Sequence, residues 1–318
     1  PPLGEDAWRD TFERYQAFPE YQKVNLGMSL AEFKVIFMYE YLHRVLGRLI
    51  GVLFLLPLLY FAFRRQLDRG LGPRLVLLFF LGGCQGLLGW YMVQSGLVDD
   101  PRVSQYRLTA HLGLAVAIYG YMFWLALGLW RAAPPRSDGA RRLAPWSLAL
   151  CAMIFLMILS GGFVAGTDAG YSYATWPQMG PGLIPEGLYA THPAWLAAFE
   201  DVTTIQFNHR LFAYLLAGLV ALFVWHGSRG ESPPALRRGL LLLGAVLSLQ
   251  IVLGVSTLLS HVAVPVAAAH QGGAIALLSV ALFCAHQARY GAPVRPLAAT
   301  GTRRGPAPDP GRGFHSPA

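Results

Sequence analysis

Four histidines stand at matching places in two halves of the chain, each inside a long apolar stretch. They are His43 in EYLHRVLGRLIG, His111 in YRLTAHLGLA, His209 in IQFNHRLFAYLLAG and His270 in AAAHQGGAIALL. Neutral imidazole is the commonest protein ligand for a metal. An ionisable side chain inside a bilayer is costly enough to be functional by default. Histidines projecting inward from two helices of a bundle can clamp a planar cofactor, and histidine is a frequent axial ligand of haem iron. Two such pairs predict two bis-histidine haem sites. The competing reading is four histidines that hydrogen-bond across helices, and it gives no reason for equivalent positions in two halves.

Glu40 marks the sharpest difference between those halves. It precedes His43 by three residues and so shares a helix face with it, whereas Gln206 stands three before His209. A carboxylate beside a bound substrate can accept a proton or stabilise developing positive charge. A structural pair with Arg44 at i+4 is the alternative. On the functional reading the first half is catalytic and the second holds a fixed redox cofactor. Arg44 and Arg210 each follow a histidine. A guanidinium suits the carboxylates of haem propionates, and equally a lipid headgroup or a partner within the bundle. The loop GGFVAGTDAGYSYATWPQMGPGLIP (161–185) has no phosphate-binding pattern. It is either a lid over the outer end of a cofactor site or an interfacial belt of Trp and Tyr. His192 is a candidate for electron entry or a plain surface histidine. His226, His261, His286 and His315 have no counterpart in the other half and receive no role.

The elements that must carry these residues are membrane helices. Only 13% of the 318 residues are charged and 54% are hydrophobic, against roughly 25% charged in soluble domains. The net charge of +8 does not point to nucleic acid, because the arginines cluster in short loops between apolar runs, where they act as topology signals. Cys84, Cys151 and Cys284 form no CxxC or CxxCH, which excludes covalent c-type haem and a zinc site. Seven runs, about 33–63, 75–97, 106–131, 143–166, 202–227, 237–260 and 262–288, reach the roughly 20 residues a spanning helix needs. They lack the alternation of a membrane barrel. Arg64, Arg65, Arg69 and Arg74 share one join, Arg131, Arg136, Arg141 and Arg142 a second, and Arg229, Arg237 and Arg238 a third. The other joins hold Asp99 and Asp100, or Asp168, Glu186, Glu200 and Asp201. The positive-inside rule puts the arginine joins in the cytoplasm and the first residues outside. All four histidines then fall in the outer third of their helices.

The halves also align. Setting His43 on His209 brings Phe33 to Phe199 and Arg44 to Arg210; QGLLG at 85–89 then matches QIVLG at 250–254, and His111 matches His270. The expected fold class is all-α integral membrane, with two tandem four-helix-bundle repeats. The second (143–288) is complete; the first (33–131) lacks its leading helix. PPLGEDAWRD has neither a start methionine nor a signal core, so the chain is expected to begin partway through a longer protein. Residues 1–32 are read as an external loop and 132–142 as a cytoplasmic linker. The Pro-, Gly- and Arg-rich stretch 289–318 is read as a disordered tail.

In combination, EFKVIFMYEYLHRVLGRLIG, YRLTAHLGLA, GGFVAGTDAGYSYATWP, FNHRL, AAAHQGGA and the opening PPLGEDAWRDTFERYQAFPEYQKVNLGMSLAEFK resemble the haem A synthase family over about residues 1–288. The resemblance implies an eight-helix, two-repeat membrane protein that converts haem O to haem A for cytochrome c oxidase. The C8 methyl is oxidised by successive hydroxylations, and the gem-diol loses water to leave a formyl group. It implies that His43 and His111 serve the substrate haem with Glu40 as the essential acid, and that His209 and His270 hold a haem b cofactor. The implied partners are a haem O synthase as donor, the cytochrome c oxidase assembly machinery, a membrane electron acceptor and the lipid bilayer. No nucleic acid is implied, and a homo-oligomer is left open. Residues 1–31 hold no cysteine, so the chain is similar to the cysteine-poor branch of proteobacteria and mitochondria. Its Ala, Gly, Arg and Pro richness and lack of a transit sequence favour a bacterial plasma membrane over the mitochondrial inner membrane. The alternative function is a diheme b-type electron carrier, for which a carboxylate beside only one site has no use. A haem transporter would need both sites to release haem, and the second half looks built for retention.

Overall fold

The computed structural model describes residues 1–94, 102–130, 135–136, 138–230, 232–290 and 292–293. Two short helices, α1 (Glu5–Gln16) and α2 (Pro19–Lys23), lead into α3 (Leu30–Phe63), α4 (Leu71–Gln94), α5 (Gln105–Trp130) and α6 (Asp138–Gly166). The short α7 (Ala194–Glu200) then precedes α8 (Val202–Arg229), α9 (Pro234–Leu259) and α10 (Val264–Tyr290). The seven long helices are each long and apolar enough to cross a bilayer. In hydrocarbon every backbone polar group must be satisfied within the protein, which a helix does by itself. The chain is an all-α multi-pass membrane protein, and its spans fall where the apolar runs place them. Asp99, Asp100, Arg131, His315 and the stretch 294–318 lie outside the described residues.

Helices α6, α8, α9 and α10 close into a ring, each packed on the next and α10 on α6. Ile154, Val220, Leu240, Leu243 and Leu277 form the middle of their shared core. Helix α5 lies against α6 and α10, α4 lies against α5, and α3 against α4. The joint between α5 and α6 is made by small residues. A Cβ on Gly162 would sit 2.9 Å from Thr109 Oγ1, and one on Gly166 2.8 Å from Gln105 Cα. Small residues four apart let membrane helices approach closely enough for dispersion contacts to hold them. The Tyr119 hydroxyl, 2.6 Å from Ser279 Oγ, ties α5 to α10. His286 lies buried at the same joint, edge-on to Trp124 and against Tyr290.

Three boundaries differ from the sequence expectation. Residues 1–32 are not a plain loop: α1 and α2 fold onto the outer part of α3. Trp8, Phe12 and Tyr15 fall at i, i+4 and i+7 and place their rings 6.4, 5.1 and 4.9 Å from the buried Phe33. A pair between Lys34 Nζ and Glu5 Oε1 at 2.8 Å, and a capping box between Ser29 and Glu32, fix the start of α3. The Lys34 ammonium holds the Glu5 carboxyl below the usual carboxylate range. Helix α6 begins at Asp138, inside the expected linker 132–142, and Pro135–Arg136 pairs in parallel with Ala292–Pro293 from the expected tail.

Candidate functional site

The four histidines share one depth. His43 precedes Phe63, the last residue of α3, by 20 positions; His111 precedes Trp130 by 19, His209 precedes Arg229 by 20, and His270 precedes Tyr290 by 20. At about 1.5 Å per residue each lies roughly 30 Å from the C-terminal end of its helix. That is the thickness of a hydrocarbon core. The structure brings His43 of α3 within electrostatic reach of His111 of α5, and His209 of α8 within reach of His270 of α10. Among the described residues no three of His, Cys, Asp or Glu converge as a cage for a bare ion. The imidazoles are gathered as pairs.

Three of the rings are set by residues on neighbouring helices. Gln85 of α4 donates through Nε2 to the backbone oxygen of His111 at 3.0 Å and lies 3.3 Å from His111 Nε2. A hydrogen bond there makes Nε2 the acceptor and puts the ring proton on Nδ1; a metal at Nε2 would take the lone pair that Gln85 now shares. Gln250 of α9 donates in the same way to the backbone oxygen of His270 at 3.0 Å. The Nδ1 atoms of His111 and His270 are buried without a partner. Ser160 of α6 lies with Oγ 3.1 Å from His209 Nδ1, placed to accept a hydrogen bond from an Nδ1–H and leave Nε2 free. Nothing local in the sequence marks Ser160. For Gln85 and Gln250 the available signal was the matched QGLLG and QIVLG.

The two His-Arg pairs have different surroundings. Glu40 accepts from Arg44 NH2 on the same helix face, and both side chains are more than half exposed, 56% and 55%. Arg210 is 7% exposed and is turned toward the 161–185 loop. Its NH1 donates to the Thr175 oxygen at 2.9 Å and the Gln178 oxygen at 3.2 Å, and its NH2 to the Tyr173 oxygen at 2.9 Å. Gln206 reaches the same strap, donating to Gly170 O at 3.3 Å and Tyr173 O at 3.1 Å. The loop is therefore a strap bound down on α8. Arg210 Nε stays buried and unpaired. His192 lies in the outer segment just before α7, on exposed chain.

The folded N-terminal segment adds a carboxyl that sequence spacing does not reveal. Partial burial holds Glu20 of α2 above the usual carboxylate range; the hydrogen bond with Tyr15 opposes the rise and the charge of Glu40 adds to it. Glu20 therefore sits close enough to Glu40 to feel its ionisation. The Tyr15 hydroxyl in turn accepts from Asn25 Nδ2 at 2.8 Å. Glu20 and Glu40 thus lie within electrostatic reach of each other in the first half, with Arg44 paired to Glu40. In the second half the equivalent helix face carries a neutral amide and an arginine engaged with backbone oxygens.

Comparison with known proteins gives the chain's relatives. A heme A synthase of Nitrosospira multiformis is 51% identical over 294 residues, covering 91% of this chain and 82% of that protein. Heme A synthases of Rhodospirillum centenum and Nitrosomonas eutropha are each 45% identical, over 289 and 286 residues; these alignments cover 91% and 89% of this chain and 77% and 80% of theirs. A family profile described as cytochrome oxidase assembly protein matches residues 1–282. With seven spanning helices and paired histidines at one depth, the chain belongs to the cytochrome oxidase assembly protein family.

Proposed function

We propose that this chain is a haem A synthase of a bacterial plasma membrane, with haem O as its substrate and haem b as its resident cofactor. One observation supports the division of labour: of two histidine pairs, the first has Glu40 one turn from His43 where the second has Gln206 one turn from His209. The chemistry of the donors fits iron in both halves. His209 can present an unprotonated Nε2, and His111 and His270 each keep an Nδ1 with no protein partner. His43 and His111 would hold the substrate iron. His209 and His270 would hold haem b, which when bound supplies a one-electron relay toward a membrane acceptor.

The chain's own residues perform the rest. Oxidising the substrate's C8 methyl to a gem-diol with oxygen taken from water releases electrons and protons, and loss of water from the diol then leaves the formyl group without further oxidation. Glu40 is the group placed to take up those protons, since it lies one turn outward of His43 on the same helix. Arg44, already its partner, holds that carboxylate on the helix face it shares with His43. Glu20 offers the proton a second carboxyl on the way out. The strap over the second half, pinned by Arg210 and Gln206, limits water at the outer end of the cofactor pair. Haem O is apolar, so direct handover from its synthase within the bilayer is the natural supply.

The test is the mass of haems extracted from membranes that carry this protein together with a haem O synthase. We expect haem A from the wild type. Glu40→Gln should yield haem O without haem A while haem b stays bound. A wild-type protein fully loaded with haem b that leaves haem O unchanged would refute the synthase reading and favour a diheme electron carrier.

A further inference from the structure

We propose that Gln85 with Gly89 on α4, and Gln250 with Gly254 on α9, are positioning residues that seat the histidine of the following helix for iron. The inference rests on the haem-binding reading above and extends it to residues that touch no cofactor. In each pair the glutamine and glycine are four apart, so they lie one turn above each other on one helix face. The glutamine grips the backbone: Nε2 meets the histidine carbonyl at 3.0 Å in both halves. The glycine makes room for the ring. A Cβ at Gly89 would lie 2.8 Å from His111 Cε1, and one at Gly254 2.9 Å from His270 Cε1. Both are closer than side-chain atoms approach, so the imidazole lies directly across a bare backbone.

Other glycines of these helices show that the fit is local. Gly82, Gly83 and Gly86 on α4 and Gly244 on α9 have open space where a Cβ would stand. Only a turn separates Gly86 from Gly89, yet the one is free and the other is filled by a histidine. The same three-residue arrangement, built twice from separate stretches of chain, has one shared product: an imidazole held at a set height and angle. An amide gripping the main chain resists sliding of the helix, and the missing Cβ sets the depth of the ring. Two glutamine oxygens are left buried without partners to achieve this.

The second half supplies the test, because its haem b reports its own ligands. The full chain is purified from membranes as wild type, Gly254→Ala, Gln250→Leu and Gly244→Ala. Ferric haem is followed by optical and electron paramagnetic resonance spectra, and haem retention by transfer to apomyoglobin. Wild type and Gly244→Ala should show low-spin, bis-histidine haem. Gly254→Ala should lose at least tenfold of the low-spin signal per helical chain. Gln250→Leu adds no bulk, so it tests the grip where Gly254→Ala fails to fold; we expect haem to leave about tenfold faster. Wild-type spectra and transfer rates in both variants would overturn the seating role alone. A wild-type chain without bis-histidine haem would overturn the haem reading and this inference with it.

Discussion

Arg210→Met should release the strap over the second half while leaving the bundle folded. Methionine keeps the apolar stem of the arginine and its packing, but three carbonyl oxygens lose the guanidinium, Tyr173 keeping Gln206 and Gln178 keeping the Thr175 hydroxyl. A hydrogen bond to a charged group contributes about 1.5–3 kcal/mol. Thr175 and Gln178 lie on exposed chain, where their oxygens recover water, and Tyr173 is half-buried. With Gln206 still donating to Tyr173, about half the lower figure for each of the three gives about 2 kcal/mol. That is a ~30-fold rise in the opening equilibrium at about 1.4 kcal/mol per tenfold. Hydrogen exchange of the protein in lipid nanodiscs reads it directly. The reporter is the Met179 amide, buried and bonded to Gly182 O at 2.7 Å. Arg44→Met is the internal comparison. Its ion pair with Glu40 is exposed and spans one helical turn, worth about 0.3–0.5 kcal/mol, so exchange near α3 should rise about twofold. Protection of the 170–182 strap within about threefold of wild type in Arg210→Met would refute the reasoning.

Further expectations follow from other contacts. Ser160→Ala removes the hydroxyl facing His209 Nδ1; losing about 1 kcal/mol should speed haem release about fivefold, and an unchanged rate would contradict the assignment. Gly166→Leu drives a side chain into Gln105 of α5 and should lower stability by about 1–3 kcal/mol. Gly218→Leu, with open space at its Cβ, should be neutral in the same thermal unfolding assay. Glu20 has its carboxyl raised in the folded chain, so both states are protonated at low pH and docking of α2 is strongest there. Docking should weaken as pH climbs past 4.5, the ordinary value, toward the raised one. Proteolysis between α1 and α3 should therefore quicken with pH in the wild type beyond the protease's own profile, and Glu20→Gln should remove that excess.

The seven spans, the depth of the histidines and the contrast of Glu40 with Gln206 were legible because each depends on local properties. Hydropathy over about 20 residues decides partition into a bilayer, and spacing along a helix decides which residues share a face. What the same letters do across the fold was not legible. Arg44 and Arg210 both follow a histidine, yet one forms an exposed pair with Glu40 and the other is buried on the oxygens of a strap more than 30 residues away. Gly86 and Gly89 are the same residue type one turn apart, and only one of them faces an imidazole. Glu20 comes within electrostatic reach of Glu40 because an aromatic cluster folds α1 and α2 back on α3. The physical reason is common to these cases. Sequence displays side chains, whereas the partners that settle these roles are backbone carbonyls and empty Cβ positions, which carry no signature of residue type until helices pack.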